Sequence, residues 1–157
     1  MNLADHPQVG QNPGPHPRVA LRMTDGGQLE ARTRPDRRQI LLRRLHADGT
    51  QAWCLAIPGD EDAVALARGR ERLYTAVYPG GSAGCRVVAV AEADGALLWE
   101  RQVQGPLPSL HSKYANRIEI TATDDEVVVT GRESAGVYRE VLDAATGNTR
   151  SRRVTAP

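Results

Sequence analysis

RVVAVAEADGALLWERQV, from Arg86 to Val103, decides how the rest of the chain is read. A Val-rich run leads into Asp94-Gly95, and a second apolar run ends on Trp99. Val, Leu and Trp suit a pleated, half-buried surface better than a helix. Asp-Gly between two such runs is a strong hairpin signal, because the turn needs residues that tolerate positive φ. The unit recurs upstream as LLRRLHADGTQAWCLAI, Leu41 to Ile57, where Gly49 stands four residues before Trp53 as Gly95 stands four before Trp99. Downstream, VYREVLDAATGNTRSRRV, Val137 to Val154, turns at Thr146-Gly147 and has Ser151 where a third Trp would fall. The three turn glycines lie 46 and 52 residues apart. A period of that length marks stacked supersecondary units, each too small to bury its own apolar face.

The repeat resembles the quinoprotein-type (PQQ-like, WD40-like) β-propeller blade, which reads roughly A-x-D-x-x-T-G-x-x-x-W. VLDAATG at Val141 to Gly147 matches the middle of that pattern, and ADGALLW at Ala93 to Trp99 and ADGTQAW at Ala47 to Trp53 match its end. The resemblance covers most of the chain after about residue 17. It implies that each motif spans the third and fourth strands of a four-stranded blade, and that Trp53 and Trp99 pack between neighbouring blades. Ser151 departs from the pattern, and Leu45 and Glu92 depart at or near its Asp position. The blade is a scaffold for many unrelated functions, so it says little about activity. Enzymes of the family that use the quinone cofactor have more blades and additional metal ligands, so the cofactor is not carried over.

Composition agrees with one β domain. A chain of 157 residues suffices for one real core and is short for two. It has no Phe and 4% aromatics, so Val, Leu, Ile and Ala must build the core. Fifteen Gly and ten Pro supply turns. A net charge of +1 gives no strong steering toward nucleic acid or membrane. Lys113 is the only Lys among twenty basic residues, a skew read as base composition rather than function. No apolar run reaches the roughly 18 residues of a membrane span, and no positive-then-apolar leader opens the chain, so the expected location is the cytoplasm. Cys54 and Cys85 are too few for a disulfide framework and are expected to be reduced and mostly buried.

In chain order, residues 1–17 hold four Pro and two Gly and are expected to form a flexible arm. Short strands are expected at Val19 to Met23 and Leu29 to Thr33, completing a first blade with the Leu41 to Ile57 hairpin. Ala63 to Ala67, AVALA, is short and bounded by turn residues, which favours a strand near a crowded axis over the competing amphipathic helix. With Leu73 to Tyr78 and the Arg86 to Val103 hairpin it makes a second blade. Gln104 to Asn116 is the longest connection, and a third blade follows over Ile118 to Val154.

Little in the chain carries chemistry. Pro79 to Gly84 is Gly-rich but lacks the Gly-Lys-Ser/Thr ending of a phosphate loop. Ser134 lies in a Gly-rich turn, with Arg132 where a nucleophile elbow needs Gly. Asp124, Asp125 and Glu126 lack calcium-loop spacing. His6, His16, His46 and His111 are scattered, so no metal site, cofactor site or catalytic residue is expected. The suggestive feature is an Arg-rich stretch: Arg32, Arg34, Arg37, Arg38, Arg43 and Arg44, opposed only by Asp36. Arginine suits bidentate contacts to carboxylate or phosphate, although a solvated outer strand would look the same.

The chain is therefore expected to be all-β. Residues 1–17 form the arm, and residues 18–157 form one propeller-like domain with blades over 18–57, 62–104 and 116–154. A non-catalytic protein–protein interaction or scaffolding module is the leading functional expectation. A ligand- or nucleic-acid-binding module using the Arg-rich surface is the alternative. Closed propellers have about four to eight blades, so three leave two open flanks, each expected to be an apolar sheet face. Three arrangements would cover them: a homodimer closing a six-bladed ring, a partner protein on the same flanks, or a self-closed β-sandwich or barrel.

Overall fold

A computed structural model describes residues 18–34, 39–58, 62–78, 85–103, 117–133 and 136–155. The arm over residues 1–17, the long connection over 104–116, and Arg37, Arg38, His6, His16, His111 and Ser134 lie outside the described residues. Twelve strands fall into three four-stranded antiparallel sheets, each a meander in chain order. The first holds β1 (Arg18–Arg22), β2 (Gln28–Arg34), β3 (Gln39–Leu45) and β4 (Gln51–Pro58). The second holds β5 (Asp62–Arg68), β6 (Arg72–Tyr78), β7 (Cys85–Ala91) and β8 (Leu97–Val103). The third holds β9 (Arg117–Ala122), β10 (Glu126–Glu133), β11 (Gly136–Asp143) and β12 (Thr149–Thr155). The sheets are propeller-like blades that do not close into a ring. No described helix is long and apolar enough to cross a membrane.

Four turns share one local device. Asp25, Asp48, Asp94 and Thr146 each precede a glycine of positive φ, and each accepts the amide two residues on with its side-chain oxygen. This side-chain mimic of a turn is why Asp or Thr stands there. The register then shifts at Arg44/Leu45, Ala89/Val90 and Val141/Leu142, the same point of each third-to-fourth-strand hairpin. The first of these hairpins is tighter. Gly49 donates its amide to His46, whereas Gly95 and Gly147 reach one residue farther back, to Ala91 and Asp143.

Asp143 also binds the amides of Ala145 and Thr146 and faces Arg150. Arg150 first, then Thr146, holds its carboxyl below the ordinary value of 3.8. A depressed folded value contributes stability above the unfolded value, and that contribution is lost as pH falls through the folded one. Wild type is expected to melt above Asp143→Asn at neutral pH, and the gap to close on acidification. Thermal melts followed by circular dichroism across the acid range check this.

The core lies in two seams between sheets. Val19, Leu29, Ile40, Leu42 and Trp53 of the first sheet meet Leu66, Leu73, Val77, Val88 and Val90 of the second. Ala65, Ala67, Tyr74, Ala76, Val87, Ala89 and Trp99 of the second meet Ile118, Ile120, Val127, Val129, Tyr138 and Leu142 of the third. The middle sheet is buried on both faces, so Val87 to Ala91 of β7 is an unbroken run of Val and Ala. Innermost strand β5 packs on β1, β2 and β9, with Leu66 turned to the first sheet and the small Ala65 and Ala67 to the third.

Candidate interaction surface

The two seams are built alike. Trp53 on β4 is 8% exposed and donates its indole N–H to the Glu92 carbonyl of the second sheet at 2.8 Å. Trp99 on β8 is 9% exposed and donates to the Ala144 carbonyl of the third at 3.0 Å. Glu92 and Ala144 each lie three residues before the turn glycine. A Cβ on Gly95 would fall 2.5 Å from the Trp53 ring, and one on Gly147 2.6 Å from the Trp99 ring. Each glycine is thus the floor of the slot that receives the preceding sheet's indole. The series stops at both ends. A Cβ on Gly49 would meet nothing within 4 Å, and Ser151 on β12 is exposed and carries no ring.

Strand alternation defines the outer faces. Leu29 and Ala31 enter the first seam, so Gln28, Glu30, Arg32 and Arg34 face away from it. Register places Arg32 beside Leu41 and Ala56, Glu30 beside Arg43, and Gln28 beside Leu45. On the third sheet, Glu119, Thr130, Arg139 and Arg153 form one outward row. The expectation of two apolar flanks is therefore corrected: both open faces are mixed, with arginines beside apolar side chains such as Leu41 and Leu45 on the first sheet and Val128 on the third. Polar groups on an outer face let a terminal unit of a stacked array stay in water without a neighbour. Cys54 is a second correction. It is exposed rather than buried, because Trp53 and Leu55 point into the seam and the residue between them must point out. The Cys85 side chain lies outside the described residues.

The structure divides the Arg-rich stretch. Arg32 is exposed and Arg34 half-buried on the outer face of the first sheet. Arg43 lies on that face too, its Nε 3.1 Å from the carboxylate of Glu30, which is 2% exposed. Arg44 points the other way and binds Asp25 at 2.7 Å beside the first seam. Arg68 joins that rim through Glu92 and Thr24. The Asp25 carboxyl is held below its ordinary value, first by the Gly27 amide and then by Arg44 and Arg68.

The buried polar residues Glu30, Thr75 and Glu140 escaped the sequence reading. Glu140 is fully buried on the core side of β11 and accepts from the Tyr138 hydroxyl, the Thr149 hydroxyl and Arg152 Nε. Arg101 of the second sheet reaches the same Thr149 hydroxyl at 3.0 Å, tying the network across the seam. The signal was the alternation Tyr138, Glu140, Leu142, which puts a carboxylate among core positions. Among the described residues no group of three or more His, Cys, Asp or Glu is placed to hold a metal ion. His46, Asp124 and Asp125 are exposed.

No family model and no curated protein matches the chain. Solved structures do. The quinohemoprotein alcohol dehydrogenase from Comamonas testosteroni aligns with a TM-score of 0.59 and 15% identity, over 88% of this chain and 20% of that one. BamB from Moraxella catarrhalis aligns with a TM-score of 0.54 and 13% identity, over 90% of this chain and 40% of that one. Both are β-propeller proteins, and at such identities the likeness is one of fold. The chain spans about a fifth of the first and two fifths of the second.

Proposed function

We propose that the chain is a non-catalytic interaction or scaffolding module that docks another protein on the outward faces of its first and third sheets. The supporting observation is the unclosed row of three sheets, whose two end faces are covered by no described strand. Two copies would supply six blades, within the range of about four to eight for closed propellers. However, that ring would bring the third-sheet face of one copy, with Arg139 and Arg153, to the first-sheet face of the other, with Arg32 and Arg34. Like charges placed opposite one another disfavour such a pairing, so a different chain suits the faces better than a second copy. The alternative of nucleic-acid binding draws on the same arginines, but Arg43 and Arg44 are already engaged by carboxylates.

The test uses a photo-crosslinking residue at Leu41 on the first sheet, at Val128 on the third, and at the exposed turn residue Ala93 as control. Adducts of a discrete protein from Leu41 or Val128 and not from Ala93 are expected, with the purified chain alone scattering light as a 17.0 kDa monomer. A stable dimer would restore the two-copy ring, and absence of adducts at both sheets would overturn the docking reading.

A further inference from the structure

The outward face of the first sheet has a definite chemical layout. Its centre is neutralised, because Arg43 lies against buried Glu30. Half-buried Leu41 and Leu45 stand on either side of Arg43 along β3 and supply apolar surface. At one end, Arg32 sits directly opposite Leu41, and Arg34 opposite Gln39. No carboxylate among the described residues pairs with Arg32 or Arg34. The face therefore combines a modest apolar strip with two arginines that have no carboxylate partner among the described residues.

We infer that this face docks the acidic side of a partner protein's β-sheet, with carboxylates against Arg32 and Arg34 and apolar side chains against Leu41 and Leu45. The inference rests on the docking reading above and names the chemistry of the partner. Three observations carry it. Both seams within the chain are sheet-on-sheet contacts, so a partner's sheet would be a fourth layer in the same row. A second copy is the wrong occupant, since its first-sheet face and its third-sheet face both present arginine. Leu41 and Leu45 in turn favour a protein over a nucleic acid, whose backbone offers phosphates to arginine and nothing apolar to leucine. Arginine serves this role better than a point charge, because its planar fork takes a carboxylate with two parallel hydrogen bonds.

The probe is a fluorescein-labelled, strand-length peptide of alternating glutamate and valine, followed by fluorescence anisotropy at low salt. Comparators are the same peptide with glutamine for glutamate, and a short oligouridylate. The acidic peptide is expected to bind, and to bind roughly tenfold more weakly to Arg32→Glu/Arg34→Glu, as reversal of two facing charges requires. Raising the salt should weaken it as well. Arg139→Glu/Arg153→Glu on the third sheet should bind it as wild type does. Should the reversal variant melt non-cooperatively, Arg32→Gln/Arg34→Gln takes its place, with a smaller loss expected in the same direction. Equal binding of the glutamine peptide would overturn the acidic partner and leave docking standing. Preference for the oligouridylate would overturn both readings. No binding of the acidic peptide, or binding insensitive to Arg32 and Arg34, would overturn the inference, while the Leu41 crosslinks decide docking separately.

Discussion

Trp99→Ala is expected to destabilise the fold by about 3–5 kcal/mol, the usual cost of emptying a large aromatic from a core. The ring is 9% exposed and fills the space between β8 and the Gly147 turn. It stacks at a tilt on Tyr74, with centroids 5.8 Å apart. Its indole N–H also satisfies the Ala144 carbonyl, which would be left without that partner. Neighbouring strands cannot collapse into the gap without breaking the seam. Against a total stability of about 5–15 kcal/mol, such a loss is a large fraction of the whole. Chemical denaturation of wild type and variant checks it. A midpoint shift within error would mean that the second and third sheets are not held together by this side chain. Trp53→Ala should behave similarly at the first seam, where Glu92 provides the carbonyl.

The second large effect is at the floor of the same slot. Gly147→Ala imposes two costs. At φ +79° an L-residue pays about 1–2 kcal/mol. The new methyl, 2.6 Å from the Trp99 ring, adds overpacking of about 1–3 kcal/mol. Gly49→Ala separates the two contributions, because Gly49 has φ +88° but open space around its would-be Cβ. The expected order of stability is therefore wild type, then Gly49→Ala, then Gly147→Ala. Equal losses at both sites would mean that the turn conformation alone matters and the Trp slot does not. Combined with Trp99→Ala, the Gly147→Ala cost should shrink toward the Gly49 value, since touching residues are not additive.

The hairpins and their spacing were open to reading because turn chemistry is local. Asp94-Gly95 needs nothing but its own neighbours to make a turn, and β7 advertises double burial through Val87 to Ala91, a run without a polar residue. AVALA was legible as a strand only through its shortness and its bounding turns. The character of the open flanks was harder. The family pattern suggests that every blade buries both faces, and that assumption hid the alternation in QLEARTR, where Leu29 and Ala31 go inward and Glu30, Arg32 and Arg34 go outward. The same alternation puts Cys54 opposite Trp53 and sends Arg43 and Arg44 to opposite faces, although they adjoin in sequence. A run of like charges along a chain becomes one surface only when the strand period permits it. Glu140 was missed because, beside the local Tyr138, its partners Thr149 and Arg152 come from the neighbouring strand and its burial from the sheet opposite.

The unclosed row has a dynamic consequence. In a closed propeller each blade is clamped on both sides, and no blade opens without two others yielding. Here β5 to β8 are clamped twice and the outer sheets once each, so the molecule has a stiff middle and two looser ends. Amide exchange should follow that gradient, slowest along β6 and β7 and fastest along β12, whose side chains lie almost wholly in solvent. The ends breathe without the middle coming apart, so whatever settles on an outer sheet meets a surface able to adjust to it.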